Sequence, residues 1–210
     1  MLLLFVYIGY VLLLLNLIIF FMGYSAQGRA YKIFTWYLAM TFVIQMVSKL
    51  LTMFHYQNLF TIHFYFIGQL VLLSIFYLAV LKEDYQKKVV KIGLVLGLIL
   101  FAIQYGYDSS LFFKFNLFEI FVTSFLLIIY AIFHLFNMLN KKEEFYYINV
   151  GILMYLFGSS ILYLVGNLTI LMSTKMSLII WTLNAGLYVV YQLFILFEWK
   201  KSFYKKVIKN

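Results

Sequence analysis

The chain contains no cysteine and no proline, and only seven of its 210 residues are acidic. Without cysteine there are no disulfides, no thiolate metal sites and no cysteine nucleophile. Without proline there are none of the kinks and broken helices by which transporters expose backbone groups at the membrane midplane, so continuous helices are favoured. The three histidines, His55, His63 and His134, are too widely separated for any two to share a helical ligand spacing, and no metal or other cofactor is expected. No apolar stretch carries paired carboxylates, a His-Glu-x-x-His run or a Gly-x-Ser-x-Gly elbow, so the chain does not read as an enzyme.

Polar surface is the other shortage. With 66% hydrophobic, 22% aromatic and 11% charged residues, the chain cannot turn its apolar side inward and still cover a water-soluble globule. It resolves instead into uncharged stretches of about 20 residues, the length that crosses a ~30 Å hydrocarbon core. Seven such spans are expected, at residues 2–23, 32–54, 59–81, 89–106, 111–137, 145–172 and 176–198. The fold class is therefore an all-α polytopic membrane bundle, one transmembrane domain over 1–210 with no soluble domain and a basic tail at 199–210.

Thirteen of the sixteen basic residues fall in alternate breaks: Arg29 and Lys32; Lys82, Lys87, Lys88 and Lys91; Lys141 and Lys142; and Lys200, Lys201, Lys205, Lys206 and Lys209. Cytoplasmic loops retain Lys and Arg during insertion, so an odd span count places the N-terminus outside and the C-terminus in the cytoplasm. The net charge of +9 reads as this orientation signal, with the bilayer and its anionic headgroups as partner rather than nucleic acid. The expected location is a membrane, crossed several times, with the basic tail in the cytoplasm.

Within the spans, buried polar groups must find partners in the bundle. Thr41, Gln45, Ser48, Lys49 and Thr52 recur at three- and four-residue spacing and form a polar stripe on the second span. Asn116, Glu119 and Thr123 do the same on the fifth. Glu119 is the conspicuous group, an acid inside a long apolar run opened by Lys114, and an ionisable group there needs a reason. Counted from the expected helix ends, Lys49 and Glu119 lie at similar depth, which permits an ion pair. His63 and Gln69 on the third span, Asn167 on the sixth and Asn184 on the seventh fall in the same outer half. These seven residues, Lys49, Glu119, Gln69, Asn184, Gln45, His63 and Asn167, are the candidate ligand-binding set of an outward-facing polar pocket. Gly151 and Gly158 on the sixth span, and Gly93 and Gly97 on the fourth, read as positions of close helix approach.

The run from Phe145-Tyr-Tyr-Ile-Asn149 through Gly151, Tyr155, Gly158-Ser159-Ser160, Tyr163 and Asn167, followed by Trp181-Thr-Leu-Asn184 and Glu198-Trp199-Lys200, resembles a family of small seven-helix bacterial membrane proteins. Ile62-His63-Phe64-Tyr65, Ser74-Ile-Phe-Tyr77 and Asn116-Leu-Phe-Glu119 extend the likeness over most of the chain. Members lie beside sensor histidine kinases or resemble their membrane half. The resemblance implies a non-enzymatic sensory or signalling module that binds a small ligand, lipid or ion and signals to a cytoplasmic kinase or similar partner, with homo-oligomers possible. Where that family carries a glutamate in the third span, this chain has Gln69, which leaves Glu119 as the main buried acid. A small-solute or ion transporter, and a membrane accessory, anchor or channel subunit of a stress or defence complex, are the alternatives.

Overall fold

The computed structural model describes residues 1–139, 144–169 and 174–204. Lys141, Lys142, Ser173, Lys205, Lys206 and Lys209 lie outside the described residues, as do the last three residues expected for the sixth span. The described chain is all-α with no strand. The helices are α1 (Leu2–Met22), α2 (Arg29–Met53), α3 (Phe60–Val80), α4 (Asp84–Tyr107), α5 (Leu117–Asn137), α6 (Tyr146–Thr169) and α7 (Thr174–Glu198). All seven are long and apolar enough to cross a membrane. Inside the expected domain they cluster into two compact units, one of Gly28–Phe133 and one of Met1–Gln27 with His134–Asn210.

In the first unit α2 packs on α3 and α3 on α4. Gly97 lets α4 approach α5: a Cβ built there would stand 3.3 Å from Leu126 of α5 and 3.1 Å from Leu70 of α3. Lower on the same pair, the Tyr130 hydroxyl reaches the Val90 carbonyl at 3.4 Å. Two local signals set the helix starts. Asp84 places a carboxylate in the first turn of α4, where exposed backbone N–H groups favour negative charge. At α5 the sequence Asn116-Leu-Phe-Glu119 has the N-cap spacing, and Asn116 Oδ1 accepts the Glu119 N–H at 3.3 Å.

That cap corrects the expected fifth span. The helix does not run from residue 111; Ser109–Phe113 forms a separate 3-10 turn, capped by Asp108, and Lys114 to Asn116 are extended. Lys114 therefore lies outside the apolar helix, and Glu119 sits in its first turn rather than two turns down. The fourth span also differs at its start, because Lys87, Lys88 and Lys91 lie on α4 itself.

In the second unit α7 is central, with α6 along one side and α1 along another. Gly151 and Gly158 are the points of close approach: their added Cβ atoms would fall 2.8 Å from Phe194 Cβ and 2.7 Å from Leu187 Cδ1. Between α1 and α7, the amide of buried Asn16 donates to both the Gln192 carbonyl, at 2.9 Å, and Gln192 Oε1, at 2.8 Å. In hydrocarbon such a side-chain pair joins helices that apolar contact alone does not drive together.

Candidate functional site

The first unit brings three polar side chains to one point. His63 is the fourth residue of α3, Glu119 the third of α5 and Tyr105 the third from the end of α4. At ~1.5 Å per residue all three lie within about one turn of their helix ends. His63 Nδ1 and Glu119 Oε2 are 2.5 Å apart, and both side chains have 0% exposure. The Tyr105 hydroxyl donates to the same carboxylate oxygen at 2.7 Å and lies 2.8 Å from His63 Nδ1.

A second layer fixes this trio. Asn116 Nδ2 donates to the Tyr105 hydroxyl at 3.2 Å and to Gln104 Oε1 at 3.0 Å, and Gln104 Nε2 returns a bond to Asn116 Oδ1 at 3.3 Å. Asn116 thus caps α5 and orients the tyrosine with one side chain. The 3-10 turn closes the group on one side: Phe112 packs on the rings of His63, at 5.3 Å, and Tyr105, at 5.5 Å. Three buried polar atoms here are left without a hydrogen-bonding partner, namely His63 Nε2, Glu119 Oε1 and Thr123 Oγ1. Thr123 lies one turn after Glu119 on α5, so two of the three share a face.

Chemically, the arrangement sets an imidazole nitrogen against a carboxylate oxygen in an apolar setting, where a net charge is expensive.

The expected partner of Glu119 is corrected. Oε2 of Glu119 is held by His63 and Tyr105, and Oε1 has no partner, so no ion pair joins it to Lys49. The reason is helix register: with α5 starting at residue 117, Glu119 rises to the level of the α3 and α4 ends, where His63 and Tyr105 already stand. Lys49 is half-buried on α2. The polar stripe of α2 serves structure at its C-terminal end, where Asn58 Nδ2 donates to Ser48 Oγ and Thr52 Oγ1, both at 3.0 Å, and ties down the turn into α3. Gln45, higher on that stripe, is half-buried. Gln69 is buried one to two turns below His63 and donates to the hydroxyls of Tyr65, at 3.1 Å, and Tyr37, at 3.3 Å.

Asn184 and Asn167 belong to the other unit. Asn184 Nδ2 donates to the Tyr163 hydroxyl at 3.3 Å. Asn167 is exposed near the end of α6, one turn after Tyr163. Sequence reasoning missed Tyr105 and Gln104, which end an apolar run and look interfacial. The Asn116-x-x-Glu119 spacing was the available signal for the position of α5.

It also missed Glu198. This fully buried carboxylate at the end of α7 accepts the backbone N–H of Phe145 at 3.0 Å and of Tyr147 at 2.6 Å, and the Ser202 hydroxyl. It caps α6 from a neighbouring helix. Among the described residues, no group of three or more His, Asp or Glu side chains is placed to hold a metal ion.

No protein-family model, curated protein or solved structure matches the chain.

Proposed function

We propose that the chain is a multi-pass protein of a bacterial cytoplasmic membrane, with its N-terminus outside, that senses rather than catalyses, and that its input is protonation of the His63–Glu119 pair. One observation carries the reading: a histidine and a glutamate in direct contact, both wholly buried, with the second ring nitrogen of one and the second carboxylate oxygen of the other unpartnered. Buried polar atoms are ordinarily hydrogen-bonded, so the two that remain open are where a proton or small polar ligand would act. The distribution of Lys and Arg supports the orientation, which puts the α3 start, the α4 end and the α5 start on the outer side. The proton would then enter past Phe112.

A change in charge at the trio alters how α3, α4 and α5 are tied together at one end, and rigid helices carry that change to their cytoplasmic ends. A cytoplasmic kinase or comparable signalling protein, the partner type implied by the sequence resemblance, would read it there.

The test reconstitutes the full chain in liposomes and varies outer pH between about 4 and 8, which spans the ordinary carboxylate and imidazole values. Hydrogen-exchange protection at the α3–α4 turn, Leu81 to Asp84, taken relative to the intrinsic rate at each pH, is the readout. Wild type should show a pH-dependent change that His63→Gln and Glu119→Gln both flatten, without proton flux across the membrane. An unchanged profile in both variants refutes the reading. Saturable flux abolished by Glu119→Gln would establish a transporter in its place.

A further inference from the structure

The second unit carries an apolar groove along α7, beside the α6–α7 packing, that the sensory reading does not use. It has a volume of about 530 Å³ and is lined by Tyr147 of α6 and by Val190, Leu193, Phe194, Phe197 and Lys200 along α7 and its extension. Its wall is hydrocarbon except at one end, where the chain passes into a π-helical turn, Trp199–Phe203. There Lys201 donates to the Tyr147 hydroxyl at 2.6 Å, with its ammonium 4.8 Å from the centre of the Tyr147 ring and 5.8 Å from that of Phe197. Two cations, Lys200 and Lys201, therefore stand at one mouth of an apolar trough.

The nearby carboxylate does not neutralise them. Both oxygens of Glu198 are turned inward, one on the Phe145 N–H and Ser202, the other on the Tyr147 N–H. The π-turn contributes to this placement, because its wider winding lets Glu198 point into the unit while Lys200 and Lys201 stay exposed.

Length matches as well. From Val190 to Lys200 the groove follows about ten residues of α7, or ~15 Å at 1.5 Å per residue. That is about half of a ~30 Å hydrocarbon core, the depth of one leaflet. By the basic-loop rule this end of α7 is cytoplasmic, the side whose leaflet is rich in anionic lipid.

We propose that this groove seats one acyl chain of an anionic phospholipid of the cytoplasmic leaflet, with the headgroup phosphate held by Lys200 and Lys201. The seat rests on the chain spanning the bilayer but is independent of the His63–Glu119 site. Its chemistry is a compact anion joined to a leaflet-long hydrocarbon chain, and neither half alone fills it.

The experiment purifies the full chain from vesicles of phosphatidylglycerol and phosphatidylcholine in equal amounts and measures the ratio of the two retained. Wild type should retain phosphatidylglycerol preferentially. Lys200→Gln and Lys201→Gln should each reduce that preference by roughly fivefold, the worth of one lysine near an anionic surface. Lys201→Arg should keep it. Leu193→Trp, which fills the trough and leaves both charges, should also abolish it, and Glu119→Gln should leave it intact. Equal retention of both lipids by wild type overturns the proposal. So does an undiminished preference in Leu193→Trp, which would mean headgroup attraction alone. A dimer in lipid-free detergent that Leu193→Trp dissolves also overturns it, since a second copy would then occupy the groove.

Discussion

Removing the Glu198 carboxylate should unfasten the start of α6. Two backbone N–H groups that lack intrahelical partners, those of Phe145 and Tyr147, are satisfied by this side chain from α7, at 3.0 and 2.6 Å. Phe145 also has φ of 70°, a left-handed conformation unfavourable for a bulky residue, held by that bond and by its ring packing on Phe203 at 5.2 Å. A hydrogen bond to a charged acceptor contributes about 1.5–3 kcal/mol, and an N-cap loss typically costs ~1 kcal/mol. The two bonds share one carboxylate and are not additive, so Glu198→Ala should cost about 3 kcal/mol. Glu198→Gln keeps one acceptor and should cost about half that. By the rule of ~1.4 kcal/mol per tenfold, amide exchange at Phe145 and Tyr147 should accelerate roughly a hundredfold in Glu198→Ala and about tenfold in Glu198→Gln. Exchange read residue by residue in detergent micelles separates this local opening from global unfolding. Unaltered exchange at those two amides in Glu198→Ala would refute the reasoning, as would equal effects of the two variants.

Glycine contacts and a surface cap offer two further checks. Gly151→Ala should destabilise by about 1–3 kcal/mol, because its Cβ would meet the Cβ of Phe194, which cannot move without α7. Gly158→Ala meets only the mobile end of Leu187 and gains helix propensity, so thermal unfolding of the two variants should differ clearly. Asp108 lies outside the spans, and the Ser110 hydroxyl, then its backbone N–H, then the Lys114 charge hold its carboxyl below the ordinary value of 3.8. With the folded value depressed, the cap on the 3-10 turn is complete above that pH and lost as pH falls through the lower folded value. Protection of the Ser110 amide, taken relative to the intrinsic exchange rate at each pH, should therefore fall only in acid below 3.8, and a fall near neutrality would contradict the assignment.

The number and type of elements could be read from composition, because a chain this apolar has few ways to satisfy its backbone in lipid. The helix bounds agree within a few residues except at α4 and α5. The start of α5 was misplaced because apolar residues 111–113 continue the hydropathy of the helix although Asn116 ends it; a local cap outranks an average over a window. Glu119 was legible as the acid that matters, since an ionisable group in an apolar run stands out against its neighbours. Its partner was not.

What the sequence by itself determined is that the chain forms seven helices long and apolar enough to cross a membrane, a property summed over segments, and which acid stands out among them. Only the tertiary structure decided that Glu119 meets His63 and Tyr105 and not Lys49, and that Glu198 closes α6. The physical reason is that these contacts join residues 14 to 56 positions apart in sequence, on different helices, at ångström range. A shift of α5 by one turn, about 5.4 Å, is invisible to hydropathy and changes every partner along the helix.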